Sequence, residues 1–220
     1  MSIQRKFLFS ISAVIALLAL IVATATVITR SSTISDQVQE QKSNTADRLV
    51  NILTITDAIM LERVKSSMSL LKLRADALGV PNQGDYVSVK NTQARQVRLG
   101  SVPQANSFDL VDSLTEVMGG TATIFSKTGD DYIRISTNVI KNGERAIGTK
   151  LAPNGKAIKK INQQQAYYGA VDILGSPYLT GYEPMFNGAG EVIGIWYVGY
   201  SADLQVLEQA IKQSHVLKEG

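Results

Sequence analysis

Phe7 to Ile28 contains no charged residue and is dominated by Ile, Leu, Val and Ala, and no other stretch restricts the chain so strongly. At about 1.5 Å per residue it is about 33 Å long, enough to cross a hydrocarbon core of about 30 Å. The stretch predicts a transmembrane helix. Arg5 and Lys6 precede it, whereas the far side offers Arg30 and then acids from Asp36 onward. The positive-inside tendency therefore places the N-terminus in the cytoplasm and exports the residues after Arg30. A cleaved signal peptide is the alternative, since Ala23-Thr24-Ala25 has cleavage-site spacing. The apolar core, however, exceeds the roughly 7 to 15 residues usual for such peptides.

The formal charge of +3 matches the three cations that flank this span, Arg5, Lys6 and Arg30, so everything after Arg30 is formally neutral. No basic helix or stripe follows, which argues against nucleic-acid binding despite a pI near 9.0. The chain has no cysteine and a single histidine, His215. Disulfides, thiol nucleophiles and the usual zinc ligand sets are thereby excluded, and no metal or cofactor is expected. The usual general base is also scarce, which weighs against an enzyme.

Ser31 to Leu78 lacks proline and glycine, and Gly79-Val80-Pro81 supplies a stop. One long helix is predicted. Leu49, Leu53, Thr56, Met60, Val64, Ser67, Leu71, Ala75 and Leu78 recur at steps of three and four and form an apolar stripe. Its upper half should pack on a domain. The lower half either spans from the membrane or pairs with its copy in a homodimer, although the same stripe also suits a purely intramolecular core. The domain expectation is an anchor over 1–30, a juxtamembrane helix over 31–48 and a folded domain over 49–217.

Short strands are predicted at Tyr86 to Val89 and Val97 to Leu99, then a helix at Phe108 to Val117 with Ser107 as N-cap and Gly119-Gly120 as stop. From Thr121 the residues alternate as a strand, Lys127-Thr128-Gly129-Asp130 supplies a turn, and Tyr132 to Thr137 resumes a β-rich run. Strand parity puts Tyr132, Arg134 and Ser136 on one face. Asn142-Gly143 marks a turn and Pro153 to Gln164 a helix. Tyr167 to Leu174, Tyr178 to Met185 and Val192 to Tyr200 read as an antiparallel meander, with Gly169, Gly194 and Gly199 marking bulges or close backbone approaches. Ala202 to Leu217 reads as a closing helix. The order predicts an α+β domain with a long N-terminal helix on an antiparallel sheet, preceded by one transmembrane helix.

Four blocks in order resemble the extracytoplasmic sensor family called Cache, in its single-module form fused from two Cache subtypes. They are Thr121 to Asn138 (TATIFSKTGDDYIRISTN), Glu144 to Leu151 (ERAIGTKL), Tyr167 to Met185 (YYGAVDILGSPYLTGYEPM) and Gly190 to Tyr200 (GEVIGIWYVGY). The resemblance covers about Leu49 to Ile211. It implies a PAS-like sheet with the long helix across one face and a small-molecule pocket on the other, in a bacterial inner-membrane protein whose sensor domain is periplasmic. Such modules occur in methyl-accepting chemotaxis proteins and related receptors, and relatives commonly bind small carboxylates. A chemoreceptor would continue into a second span and a cytoplasmic signalling region, so the expectation is a truncated sensor or an anchored one acting through a signalling partner.

Arg134 or Arg145 is the candidate partner for a carboxylate, because a planar guanidinium binds one through two parallel hydrogen bonds. Tyr132, Tyr168, Tyr178 and Tyr182 are candidate hydroxyl donors and apolar walls. For Arg145 a loop brace held by Glu144 and backbone carbonyls is the alternative, and for Tyr178 and Tyr182 it is core packing with a satisfied hydroxyl. Asp172 would accept an amine ligand or stand as a solvated strand residue. An enzyme using Asp130, Asp131, Asp172 and Glu183 as an acid and base pair is disfavoured, since the first two follow a turn glycine. A ligand-free, membrane-anchored oligomerisation module is the remaining alternative to the sensor.

Overall fold

The computed structural model describes residues 22, 47, 48, 50–173 and 175–202. The chain divides into two units, 1–56 and 57–220. In the first, residues 50–56 are helical, with Val50, Ile52, Leu53 and Ile55 exposed. The predicted span Phe7 to Ile28 and the closing helix Ala202 to Leu217 fall almost wholly outside the described residues. Among the described residues no helix is long and apolar enough to cross a membrane.

The second unit opens with helix α1 (57–78). Val64, Met68, Leu71 and Ala75 recur at steps of four, three and four and are buried, which is the stripe expected of a helix lying on a sheet. Strands β1 (Pro81–Val89), β2 (Thr92–Leu99) and β3 (Val102–Pro103) form a small antiparallel sheet. Both main strands run longer than their sequences predict. β1 begins on a proline and carries a register shift between Gln83 and Tyr86, around Gly84-Asp85, so its period-2 signal is broken.

Helix α2 (Asp109–Met118) buries Leu110, Val111 and Leu114, and Phe108, not Ser107, holds the N-cap position, with no side-chain cap bond. It leads into the main sheet, composed of β4 (Thr121–Thr128), β5 (Asp131–Thr137), β8 (Tyr167–Ile173), β9 (Ser176–Phe186) and β10 (Val192–Ser201) in the order β5-β4-β10-β9-β8. All its pairings are antiparallel. The predicted hairpin and meander thus join edge to edge through β4 and β10. Between β5 and β8 the chain forms the hairpin β6 (Ile140–Lys141) and β7 (Glu144–Arg145), then helix α3 (Lys156–Ile161), shorter than the predicted Pro153 to Gln164 helix.

Both faces of the sheet are covered. On one, Ile124, Ile133, Ile135, Trp196 and Val198 pack with α1, α2 and the small sheet. On the other, Phe125, Tyr132, Tyr182, Ile195 and Tyr197 pack with Val139, Ala146 and α3. At the first face Tyr200 Oη donates to the Met118 carbonyl (3.0 Å), so in its buried 2.7 Å bond with Ser67 the serine is the donor.

A bulge corrects one expectation from strand parity. Ser136 lies opposite Ile124 and Arg134 opposite Phe125, leaving Ile135 unpaired. The extra residue turns Ser136 to the α2 side, where its hydroxyl donates to the Ser107 carbonyl. Thr137, bonded to Thr123, takes the place beside Arg134 that parity gives to Ser136.

The strand glycines mark close approaches. A Cβ on Gly194, at the β9–β10 register shift, would stand 2.3 Å from the Phe125 carbonyl oxygen, and one on Gly199 would stand 2.2 Å from the Tyr197 hydroxyl. Gly194→Ala meets backbone that cannot rotate away. It should cost about 1 to 3 kcal/mol, read as a lower midpoint in urea unfolding. An unchanged midpoint would show that β4 gives way freely.

Candidate functional site

The second face of the sheet carries the chemistry. β5 places Arg134 there with only 5 % of its surface exposed, and its Cζ lies 5.0 Å from the centre of the Phe125 ring. Beside it, Tyr182 of β9 and Tyr197 of β10 are opposite one another in the ladder, their rings 4.9 Å apart, with Tyr167 6.4 Å beyond Tyr182. A strap, residues 146–151, runs along the free edge of β5. Arg134 N–H donates to the Thr149 carbonyl (2.8 Å), Gly148 N–H to the Arg134 carbonyl (2.8 Å) and Leu151 N–H to the Tyr132 carbonyl (2.9 Å).

Strap, α3 and sheet line a half-open cavity of about 650 Å³ whose walls include Arg134, Thr149, Leu151, Ala157, Asp172 and Tyr182. That volume lies within the range of about 300 to 1,000 Å³ typical of small-molecule sites. Lys141, Lys150 and Lys156 also border it. Lys150 pairs with Asp131 (2.6 Å), whereas Lys141 and Lys156 are in no ion pair among the described residues.

Arg134 is the anomaly of the site. Among the described residues its guanidinium has no carboxylate partner and makes one hydrogen bond, from Nη1 to Thr149 Oγ1 (2.6 Å), while Nε is buried with no partner at all. Burial pulls the guanidinium below its ordinary pKa, partly opposed by the nearby hydroxyls of Tyr182 and Tyr197. A buried cation without a counter-charge is costly unless something else supplies one.

Burial also raises the phenols. It pushes Tyr132 and Tyr182 up, Tyr182 with a further push from Tyr197, and takes Tyr197 to about 12. The unfolded chain's tyrosines ionise near pH 10, so folded values above that leave stability whole below about pH 10. Stability then falls as pH rises toward about 12, because the unfolded chain loses protons the folded one keeps. In an alkaline titration, tyrosinate absorbance for these residues should appear with unfolding. Ionisation of all the tyrosines near pH 10 in protein that stays folded would contradict this placement.

Of the seven residues singled out from sequence, the cavity brings together Arg134, Tyr182 and Asp172. Tyr132 and Tyr178 belong to the same core without forming its walls. The Asp172 carboxylate accepts from Gly175 N–H in the β8–β9 turn (2.8 Å). Tyr168 lies on the opposite face, packed toward α1, and donates to Glu183, whose other oxygen accepts from Lys72 (2.7 Å). Arg145 is a brace, but its acid is Asp112 of α2, not Glu144. Two parallel bonds of 2.7 and 2.8 Å join them, Nη1 also donates to the Thr137 carbonyl, and Cζ lies 4.3 Å from the Phe108 ring centre. Glu144 pairs instead with Lys90 (2.7 Å), which holds its carboxyl below the usual range.

Sequence marks Ile147 to Leu151 as a short extended piece but assigns no strap residue to the site, although a signal was present. From Lys141 to Lys160 there are six cations and a single acid, Glu144, in a chain otherwise near balance.

The Cache 3/Cache 2 fusion domain model matches residues 29–220. The chain belongs to the Cache 3/Cache 2 fusion domain family. No curated protein matches it. Cache domains are extracytoplasmic sensor domains and not enzymes, and as a family they bind small molecules. In this Cache domain three of the four carboxylates weighed for acid and base chemistry have other roles. Asp131 pairs with Lys150, Asp172 closes a turn and Glu183 is held by two donors.

Proposed function

We propose that the chain is the ligand-binding part of a membrane-anchored bacterial signalling receptor, of the chemoreceptor kind, and that it recognises a small carboxylate. The observation that carries this reading is the buried guanidinium of Arg134, on the wall of a ligand-sized cavity and, among the described residues, without an acid to neutralise it. A carboxylate supplies both the missing charge and two acceptors in the plane of the guanidinium. Lys141 and Lys156 add positive potential at the cavity's border.

In this proposal residues 1–30 anchor the protein in the inner membrane with the N-terminus cytoplasmic, 31–48 form a juxtamembrane helix and 49–217 are the periplasmic sensor. The exposed Ile52 and Ile55, three residues apart on a helix, support a homodimer formed through that helix. A ligand favouring one arrangement of strap and sheet shifts the population toward it by no more than its difference in affinity for the two. The helices then carry the change to a signalling partner.

The test is a thermal-shift screen of the full chain in detergent against acetate, pyruvate, succinate, malate, citrate, amino acids and amines. A ligand at 100 times its dissociation constant adds about 2.7 kcal/mol, roughly 5 to 10 °C for a domain of this size. Selective stabilisation by one or more carboxylates supports the reading. A flat response throughout favours a ligand-free oligomerisation module, and stabilisation by amines alone would move recognition to Asp172.

A further inference from the structure

The single hydrogen bond of the Arg134 guanidinium has a direction that determines what the group offers. Thr149 Oγ1 donates its one proton to the Ala146 carbonyl (2.7 Å), so toward Arg134 it can only accept, and Arg134 Nη1 can only donate (2.6 Å). The backbone fixes the two residues against each other on both sides. Arg134 N–H reaches the Thr149 carbonyl and Gly148 N–H reaches the Arg134 carbonyl, each at 2.8 Å. The Thr149 hydroxyl is therefore held in register with the guanidinium by the strap's own pairing.

A guanidinium has two edges that match a carboxylate, one formed by its two terminal nitrogens and one formed by Nε with Nη2. Thr149 takes one of the two protons of Nη1, so the first edge is already engaged in part. The second retains Nε, which is buried and has no partner among the described residues. A buried donor left unpaired is rare and calls for an explanation, which a ligand in the adjoining cavity would give.

We infer that Thr149 is a positioning residue: its hydroxyl engages Nη1 of Arg134 and reserves the Nε–Nη2 edge for side-on recognition of a carboxylate. This rests on the reading of the cavity as a carboxylate site and specifies how that site is aimed. It also gives the strap a role beyond covering the cavity, because a shift of the strap along β5 would release the guanidinium. A valine at this position keeps the shape and the backbone bonds but cannot accept. A serine keeps the acceptor.

The experiment uses the full chain in detergent, labelled with ¹⁵N-arginine, with the Arg134 side-chain signals assigned by their loss in Arg134→Lys. A hydrogen bond at Nη1 slows rotation about the guanidinium bonds. Without any ligand, Arg134 should show separate Nη1 and Nη2 signals in the wild type and Thr149→Ser, and merged ones in Thr149→Val. Thr149→Ala, which adds no atoms to the site, gives the same reading if the valine variant does not fold. Persistence of separate signals in the valine or alanine variant, or their merging in the serine variant, overturns the inference.

Succinate is then added as the probe. Movement of the Arg134 Nε signal, with affinity at least tenfold weaker in Thr149→Val and restored in Thr149→Ser, supports the side-on geometry. Equal affinity in the wild type and Thr149→Val overturns it. No response of the wild-type protein to succinate counts against the carboxylate reading of the cavity, while the Nη signals still decide the role of Thr149.

Discussion

Arg134→Met is expected to abolish stabilisation by any carboxylate found in the screen and, at the same time, to raise the melting temperature of the ligand-free protein. The two effects have one origin. With ligand present, removing one partner of a buried, hydrogen-bonded charge pair costs about 2 to 5 kcal/mol, or roughly 30-fold to several thousand-fold in affinity. Without ligand, the same guanidinium is a charge 95 % removed from solvent, facing no acid among the described residues and carrying an unbonded Nε. Methionine is flexible and apolar and fills the space above Phe125 without that penalty. Replacing buried ionic groups by apolar ones of similar volume has gained about 1 to 4 kcal/mol elsewhere, so a rise of several degrees is expected. A site maintained for recognition at the expense of stability should behave this way. A variant that both melts lower and keeps its affinity would make Arg134 a structural residue.

Leu71→Ala should be the most damaging truncation in α1. Leu71 is fully buried, and its neighbours in the core include Met68, Ala75, Trp196 and Val198. Loss of its side chain removes apolar burial and leaves a cavity, for about 2 to 5 kcal/mol and a fall in melting temperature of roughly 4 to 20 °C. Because Leu71 stands on the far face of the sheet from Arg134, ligand affinity measured well below the new melting point should be unchanged. A loss of affinity comparable to that of Arg134→Met would show that Leu71 helps to hold the site itself and not only the core under α1.

The framework was legible wherever periodicity and burial agree. Val64, Leu71 and Ala75 fell on the predicted stripe because a helix with one buried face must repeat every three to four residues. β10 was legible as a strand, but not which of its sides held the site, since Ile193 to Tyr200 are buried on both faces and alternation carries no polarity signal there. Tyr168 shows the same ambiguity. Its neighbour Tyr167 takes the cavity side of β8 and Tyr168 the helix side, and nothing in the pair of letters distinguishes them.

Features set by a single residue or by distant pairing were not legible. One bulged residue, Ile135, reversed the face of Ser136. Asp112 stands 33 residues from Arg145 and binds it because α2 and β7 meet in space, whereas sequence reasoning could only offer the adjacent Glu144. The strap pairs with β5 through backbone groups, which every residue possesses, so Thr149 carried no mark of its own. Gly194 and Gly199 were exceptions among local signals. Glycine inside a β-rich run indicates crowding, and both stand where a Cβ would collide.

The most direct measurement is a crystal structure of the protein with the carboxylate that stabilises it best. The ligand is expected in the cavity between strap and sheet, one carboxylate in the guanidinium plane with its oxygens about 2.7 to 2.9 Å from Nε and Nη2 of Arg134, and Nη1 still on Thr149. A ligand bound elsewhere, with Arg134 still unpaired, would contradict this.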